Sequence, residues 1–88
     1  MDKQLEKIEE LAGLFLTIEE IAFLCDIDEA NLRREIRGKK SPAAKAYYRG
    51  KLNTVVAMRR QTFNFAKAGS PQAENLMIEF SDKQDSNE

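Results

Sequence analysis

Arg33, Arg34 and Arg37 sit in one short stretch, NLRREIRG, that could do chemistry together. On a helix turning about 100° per residue they share, with Ala30, an arc of about 100° that points away from Leu32 and Ile36. Three guanidinium groups on one outward face can clamp phosphate oxygens or donate in bidentate fashion to the edge of a guanine. Lys39, Lys40, Lys45, Arg49 and Lys51 continue the basic run into the next loop and helix, where sequence-independent phosphate contact is the natural role. Catalytic chemistry has little to draw on. There is no His, no Gly-rich phosphate loop and no carboxylate cluster framed by a pocket, so an enzyme is the least favoured class. Cofactors are not expected.

The formal net charge of −1 hides strong polarity along the chain. Residues 1 to 30 sum to −7, residues 31 to 67 to +10, with Glu35 the single acid among them, and residues 68 to 88 to −4. A segregated basic block points to a binding stripe where net charge alone would argue against nucleic acid. The competing reading of the arginines is a solvated helix C-terminus favoured by the macrodipole. Asp28 and Glu29 at the start of the same helix support that competitor, because they would repel phosphate. Asp28 is expected to be occupied in capping, and Glu29 is the real difficulty unless it accepts from a cytosine amino group.

Eighty-eight residues suffice for one small domain that buries only about 60% of its unfolded surface. The 42% apolar and 33% charged composition belongs to a folded chain, apart from the SDKQDSNE stretch at 81–88, which reads as a flexible tail. Cys25 is the only cysteine, so an intramolecular disulfide and a conventional zinc site are excluded, and its place on the apolar side of a helix assigns it to the core. MDKQLEKIEE is acidic without an apolar h-region, and no window approaches 18 consecutive apolar residues. A cytoplasmic protein without membrane contact is expected.

The elements that must position the arginines announce themselves through caps. A first helix is predicted from Asp2 to Ala12, with Leu5, Ile8 and Ala12 on one face and Gly13 as its stop. Thr17 and Glu20 form a capping box for a second helix ending near Cys25, with Leu16 and Ile21 as hydrophobic staple. Asp28 caps a third, with Ile27 and Leu32 as a second staple. Ser41 and Pro42 open a fourth that can run to Ala68, with Gly50 inside it as a point of kinking or breakage. Ser70 and Pro71 open a short fifth with Ala73, Leu76, Met77 and Phe80 as a narrow apolar stripe. Tyr47 and Tyr48, adjacent on a helix, are better core residues than base-stacking platforms. Tyr48, Leu52, Val55, Val56, Met58, Phe63, Phe65 and Ala66 cover more than one face of the fourth helix, which predicts a partner helix or a homo-oligomer.

The stretch IEEIAFLCDIDEANLRREI, residues 18 to 36, carries a helix-turn-helix pattern. Ala22 supplies the small side chain at the crossing, and Ile21, Cys25, Ile27, Leu32 and Ile36 the contacts that set its angle. It resembles prokaryotic and phage DNA-binding domains. It departs from them at Asp26, where Gly is usual, and at Glu35, where an apolar residue is common. In such domains the second helix enters the major groove, which makes Arg33 the residue for a base contact and Arg34 and Arg37 residues for phosphate.

Over residues 3 to 80 the order of features, with LTIEEIAFLCDIDEANLRREI, then AYYRGKLN, then AKAGSPQAENLMIEF, is similar to small subunits of phage terminases and related prophage proteins. That resemblance implies recognition of double-stranded viral DNA, assembly of subunits into rings and regulation of a terminase large subunit. The expected architecture is all-α: a helix-turn-helix three-helix core over 1–40, a helical packing or oligomerisation hairpin over 41–80, and a tail over 81–88. The expected DNA-binding residues are Arg33, Arg34, Arg37, Lys39, Lys40, Lys45 and Arg49. A transcription regulator or excision factor of a mobile element is the alternative within DNA binding. A helical module presenting a basic face to an acidic protein is the alternative outside it.

Overall fold

The computed structural model describes residues 2–88, and these are all-helical, with no strand among them. Five helices follow in order: α1 (Lys3–Gly13), α2 (Ile18–Cys25), α3 (Glu29–Gly38), α4 (Pro42–Lys67) and α5 (Pro71–Asn87). The chain divides into two compact units, Met1–Thr54 and Val55–Glu88, with the division falling inside α4.

In the first unit the starts of the helices follow side-chain chemistry closely. Asp2 accepts the Gln4 amide at 2.9 Å. At α2 both halves of the capping box form: Thr17 Oγ1 accepts the Glu20 amide at 3.1 Å and Glu20 Oε1 accepts the Thr17 amide at 2.9 Å. Asp28 accepts the Asn31 amide at 3.0 Å, and Ser41 the Ala44 amide at 3.1 Å. Each of these oxygens takes one of the amides that a helix start leaves without an intrahelical partner.

The ends are made differently. Phe15, Asp26 and Lys39 all adopt left-handed backbone, with φ of 62°, 57° and 62°. After α1 the Leu16 amide reaches back to the Leu11 carbonyl and the Phe15 amide to Ala12, at 3.3 and 2.9 Å; after α2 the Ile27 amide reaches Ala22 and the Asp26 amide Phe23, at 2.9 and 3.3 Å. These paired bonds are the Schellman pattern, with a non-glycine residue at its left-handed position. The expected stop at Gly13 is therefore displaced. Gly13 remains inside α1, and Phe15 makes the turn.

Gly13 has another task. A Cβ there would come within 3.1 Å of Thr54 Oγ1 and 3.2 Å of the Gly50 carbonyl oxygen, and Thr54 Oγ1 donates to the Gly13 carbonyl at 2.6 Å. Gly50 is more constrained, since a Cβ on it would overlap the Glu9 carbonyl oxygen. The α4 helix is continuous across Gly50. Its glycine is there for the close approach of α1, which offsets the roughly 1 kcal/mol that Gly gives up to Ala in a helix interior.

Ile8, Leu11, Ala12, Ile21, Ala22, Leu32, Ile36 and Ala46 form the buried core of this unit, with Leu5, Leu16, Ile18, Cys25, Ile27, Tyr47 and Tyr48 packed at its margin. Ile8, Ile21 and Leu32 are its largest fully enclosed side chains, one from each of the first three helices. Two side chains of α1 also tie down the end of α2: Lys7 Nζ donates to the Leu24 carbonyl at 2.8 Å and Gln4 Nε2 to the Cys25 carbonyl at 3.4 Å. A cation at a helix C-terminus answers the negative end of its dipole.

In the second unit the C-terminal part of α4 turns into α5 through Gly69, at φ 100°. The Ser70 amide bonds the Phe65 carbonyl at 3.1 Å, and Ser70 Oγ accepts the Ala73 amide at 3.3 Å to start α5. Ala73 is buried, and the Arg59 guanidinium lies 4.3 Å from the centre of the Phe80 ring, stacking α4 on α5. The fifth helix is not short. It continues through Asn87, across the stretch expected to be loose, because no Gly or Pro interrupts residues 72 to 87 and extending a helix is far easier than nucleating one. Asn87 Nδ2 closes its last turn on the Lys83 carbonyl at 2.8 Å.

Candidate nucleic-acid interface

The α3 helix is anchored by two side chains, Leu32 and Ile36, both buried. With that face fixed inward, Ala30, Arg33, Arg34 and Arg37 are left exposed, as their spacing requires. Asp26, Ile27 and Asp28 alone join α2 to α3, so the orientation of α3 rests on the left-handed Asp26 and on the pairing of Ile27 to Ala22. Lys39 terminates α3, its amide shared between the Glu35 and Ile36 carbonyls at 3.3 and 3.1 Å, and Lys40 follows exposed. Arg33, Arg34, Arg37, Lys39 and Lys40 thus converge on one short helix and its C-terminal turn.

The acids at the start of α3 are both engaged. Asp28 is held by its capping bond. Glu29 Oε2 accepts from Arg33 Nη2 at 3.0 Å, an i, i+4 ion pair whose two side chains are 42% and 45% exposed. Pairs this open are worth roughly 0.3–0.5 kcal/mol, so Arg33 is easily released to a stronger anion. Arg34 Nη2 donates to Asn31 Oδ1. Arg37 enters no ion pair among the described residues.

Lys45 and Arg49 line a groove with Asp2 and with Leu5, Glu6 and Glu9 of α1, and Arg49 Nη1 lies 3.6 Å from Glu9 Oε1. The basic run that looks continuous in sequence thus includes a pair, Lys45 and Arg49, that faces acids of α1. The reason is the α1–α4 approach at Gly50, which sets Arg49 beside Glu9. Lys51 stands 6.0 Å from the Tyr47 ring centre, and Tyr47 meets Tyr48 edge-on at 5.2 Å, both half-buried against the core.

Burial pushes the Cys25 thiol above its ordinary pKa, and Lys7 opposes that shift in part. Among the described residues, no group of three or more His, Cys, Asp and Glu is arranged to hold a metal ion, and no helix is long and apolar enough to cross a membrane. Sequence reasoning missed the Lys7 and Gln4 contacts to α2 and the exposure of Phe15 and Phe23. The first needs the α1–α2 packing, whereas Phe23 could have been found from its place opposite Ile21 and Ala22 on the helical wheel.

No family model, curated protein or solved structure matches this chain. Its function has to be argued from its own residues.

Proposed function

We propose that the chain is a non-catalytic helix-turn-helix protein that binds double-stranded DNA, with α3 as the helix that enters the major groove. The observation that carries this reading is the arginine face of α3, exposed behind buried Leu32 and Ile36 and reached from α2 through a three-residue junction. Arg34, Arg37, Lys39 and Lys40 would hold phosphates, while Arg33, released from Glu29, would reach a base edge. Lys45 and Arg49, facing α1, would contribute long-range attraction more than direct contact. Within this class the feature order supports a phage terminase small subunit-like role, in which the DNA-bound chain would engage a large subunit. A transcription regulator or excision factor would use the same face.

A second reading has a specific observation behind it. Both Arg33 and Arg49 already pair with carboxylates of this chain, which is the chemistry of a basic face docking an acidic protein. Duplex binding measured against salt separates the two. The DNA reading expects affinity to fall steeply with ionic strength and to be lost in Arg33→Ala with Arg34→Ala while helicity is unchanged. Absence of measurable binding to any duplex at low salt would overturn it.

A further inference from the structure

Away from the arginines, the first unit exposes a patch of opposite character. Phe23 is 85% exposed, and it lines a groove with Leu16, Glu19, Glu20 and Leu24. Glu19 and Glu20 are the charged residues that line the groove, and Lys7 of α1 is spent on the Leu24 carbonyl beside it at 2.8 Å.

The second unit carries the complement. Val56, Arg60, Phe63 and Lys67 recur at i, i+4, i+7 and i+11 along α4 and are all exposed, which places them on one face. Lys67 Nζ lies 5.1 Å from the Phe63 ring centre, joining the basic and aromatic character in one surface. The α2 groove sets two carboxylates beside Phe23, and the α4 face sets two cations beside Phe63.

We infer that the α2 patch of one copy docks the Val56–Arg60–Phe63–Lys67 face of α4 in a second copy, a head-to-tail contact between unlike surfaces. Phe23 and Phe63 supply the apolar centre, and Glu19, with the Glu20 oxygen that its capping bond leaves over, meets Arg60 and Lys67 at its rim. Because the two surfaces differ, each copy keeps one free for a further copy. This contact is independent of the DNA reading and leaves the α3 face unoccupied.

Light scattering and sedimentation of the full chain at high micromolar concentration test it. The wild type is expected to self-associate beyond a dimer. Phe23→Lys, at a side chain that is almost wholly exposed, and Arg60→Glu with Phe63→Glu should each weaken association at least ~10-fold. An equimolar mixture of these two variants should form a 1:1 dimer and nothing larger, since each retains the surface its partner lacks. A monomeric wild type, including one whose patch is covered within its own chain or reserved for another protein, would overturn the inference. So would association indifferent to the Phe23 and Arg60/Phe63 variants, or a mixture that stays monomeric.

Discussion

Gly50 of α4 lies against the Glu9 carbonyl of α1 with no room between them for a methyl group. The two helices touch backbone to backbone, and Thr54 adds its hydroxyl bond to Gly13 one turn further along α4. Gly50→Ala improves helix propensity by about 1 kcal/mol, yet is expected to destabilise the protein by roughly 1–3 kcal/mol, because the overlap is with backbone that cannot rotate away. Gly38→Ala is the control: nothing lies within 4 Å of a Cβ built there. It should stabilise by up to ~1 kcal/mol. Urea denaturation of both variants checks the contrast.

Asp28 stabilises the start of α3 through one bond to the Asn31 amide. Asp28→Ala should cost about 1 kcal/mol and Asp28→Ser much less, since serine is an equally good cap. The same substitutions should leave α4 and α5 amides unchanged in hydrogen exchange while the first turn of α3 loses protection.

Glu29 holds Arg33 in a weak exposed pair. Removing the charge with Glu29→Gln frees the guanidinium and lowers repulsion of phosphate, so duplex affinity should rise several-fold at low salt, with the larger gain if Arg33 is a contact residue. Arg37→Ala should reduce the magnitude of the salt slope of log K by about 0.9 if it holds one phosphate. Fluorescence anisotropy across a salt series measures both. Unchanged affinity in both variants would remove α3 from the interface.

Burial raises the Cys25 thiol pKa. The folded state therefore favours the protonated thiol, and the stability this contributes is fully present below the thiol's ordinary pKa near 9.0 and lost as pH rises through the folded value. Alkylation of the folded protein should be slow at neutral pH and should titrate above the midpoint seen in denaturant. Lys7→Met should push that midpoint higher still, because the opposing positive charge is removed.

The starts of the helices could be read from the chain because capping is local: Thr17, Asp28, Ser41 and Ser70 each satisfy the amide three residues on, and the residue types name the position. The ends could not be read as well. Gly13 looks like a stop and is a packing residue, while Phe15 makes the turn. Gly50 looks like a break and is a contact. Each of these depends on which helix comes alongside, information that no window of local sequence contains. The arginine face of α3 was legible for the same reason as the caps, since it follows from helical periodicity and two buried anchors. The facing of Lys45 and Arg49 onto the acids of α1 was not, because it follows from the line along which α4 crosses α1.

Phe15, Asp26 and Lys39 leave the first unit with unclaimed headroom. Left-handed backbone costs a residue with a side chain roughly 1 kcal/mol relative to glycine, so three such turns hold back a sizeable share of the 5–15 kcal/mol that a small domain has in total. A more robust version of this protein lies three glycine substitutions away, at positions where the helices already turn as glycine would. Laboratory selection for thermal tolerance should find Phe15 and Asp26 first, and should reach Lys39 only when the basic face of α3 is no longer required.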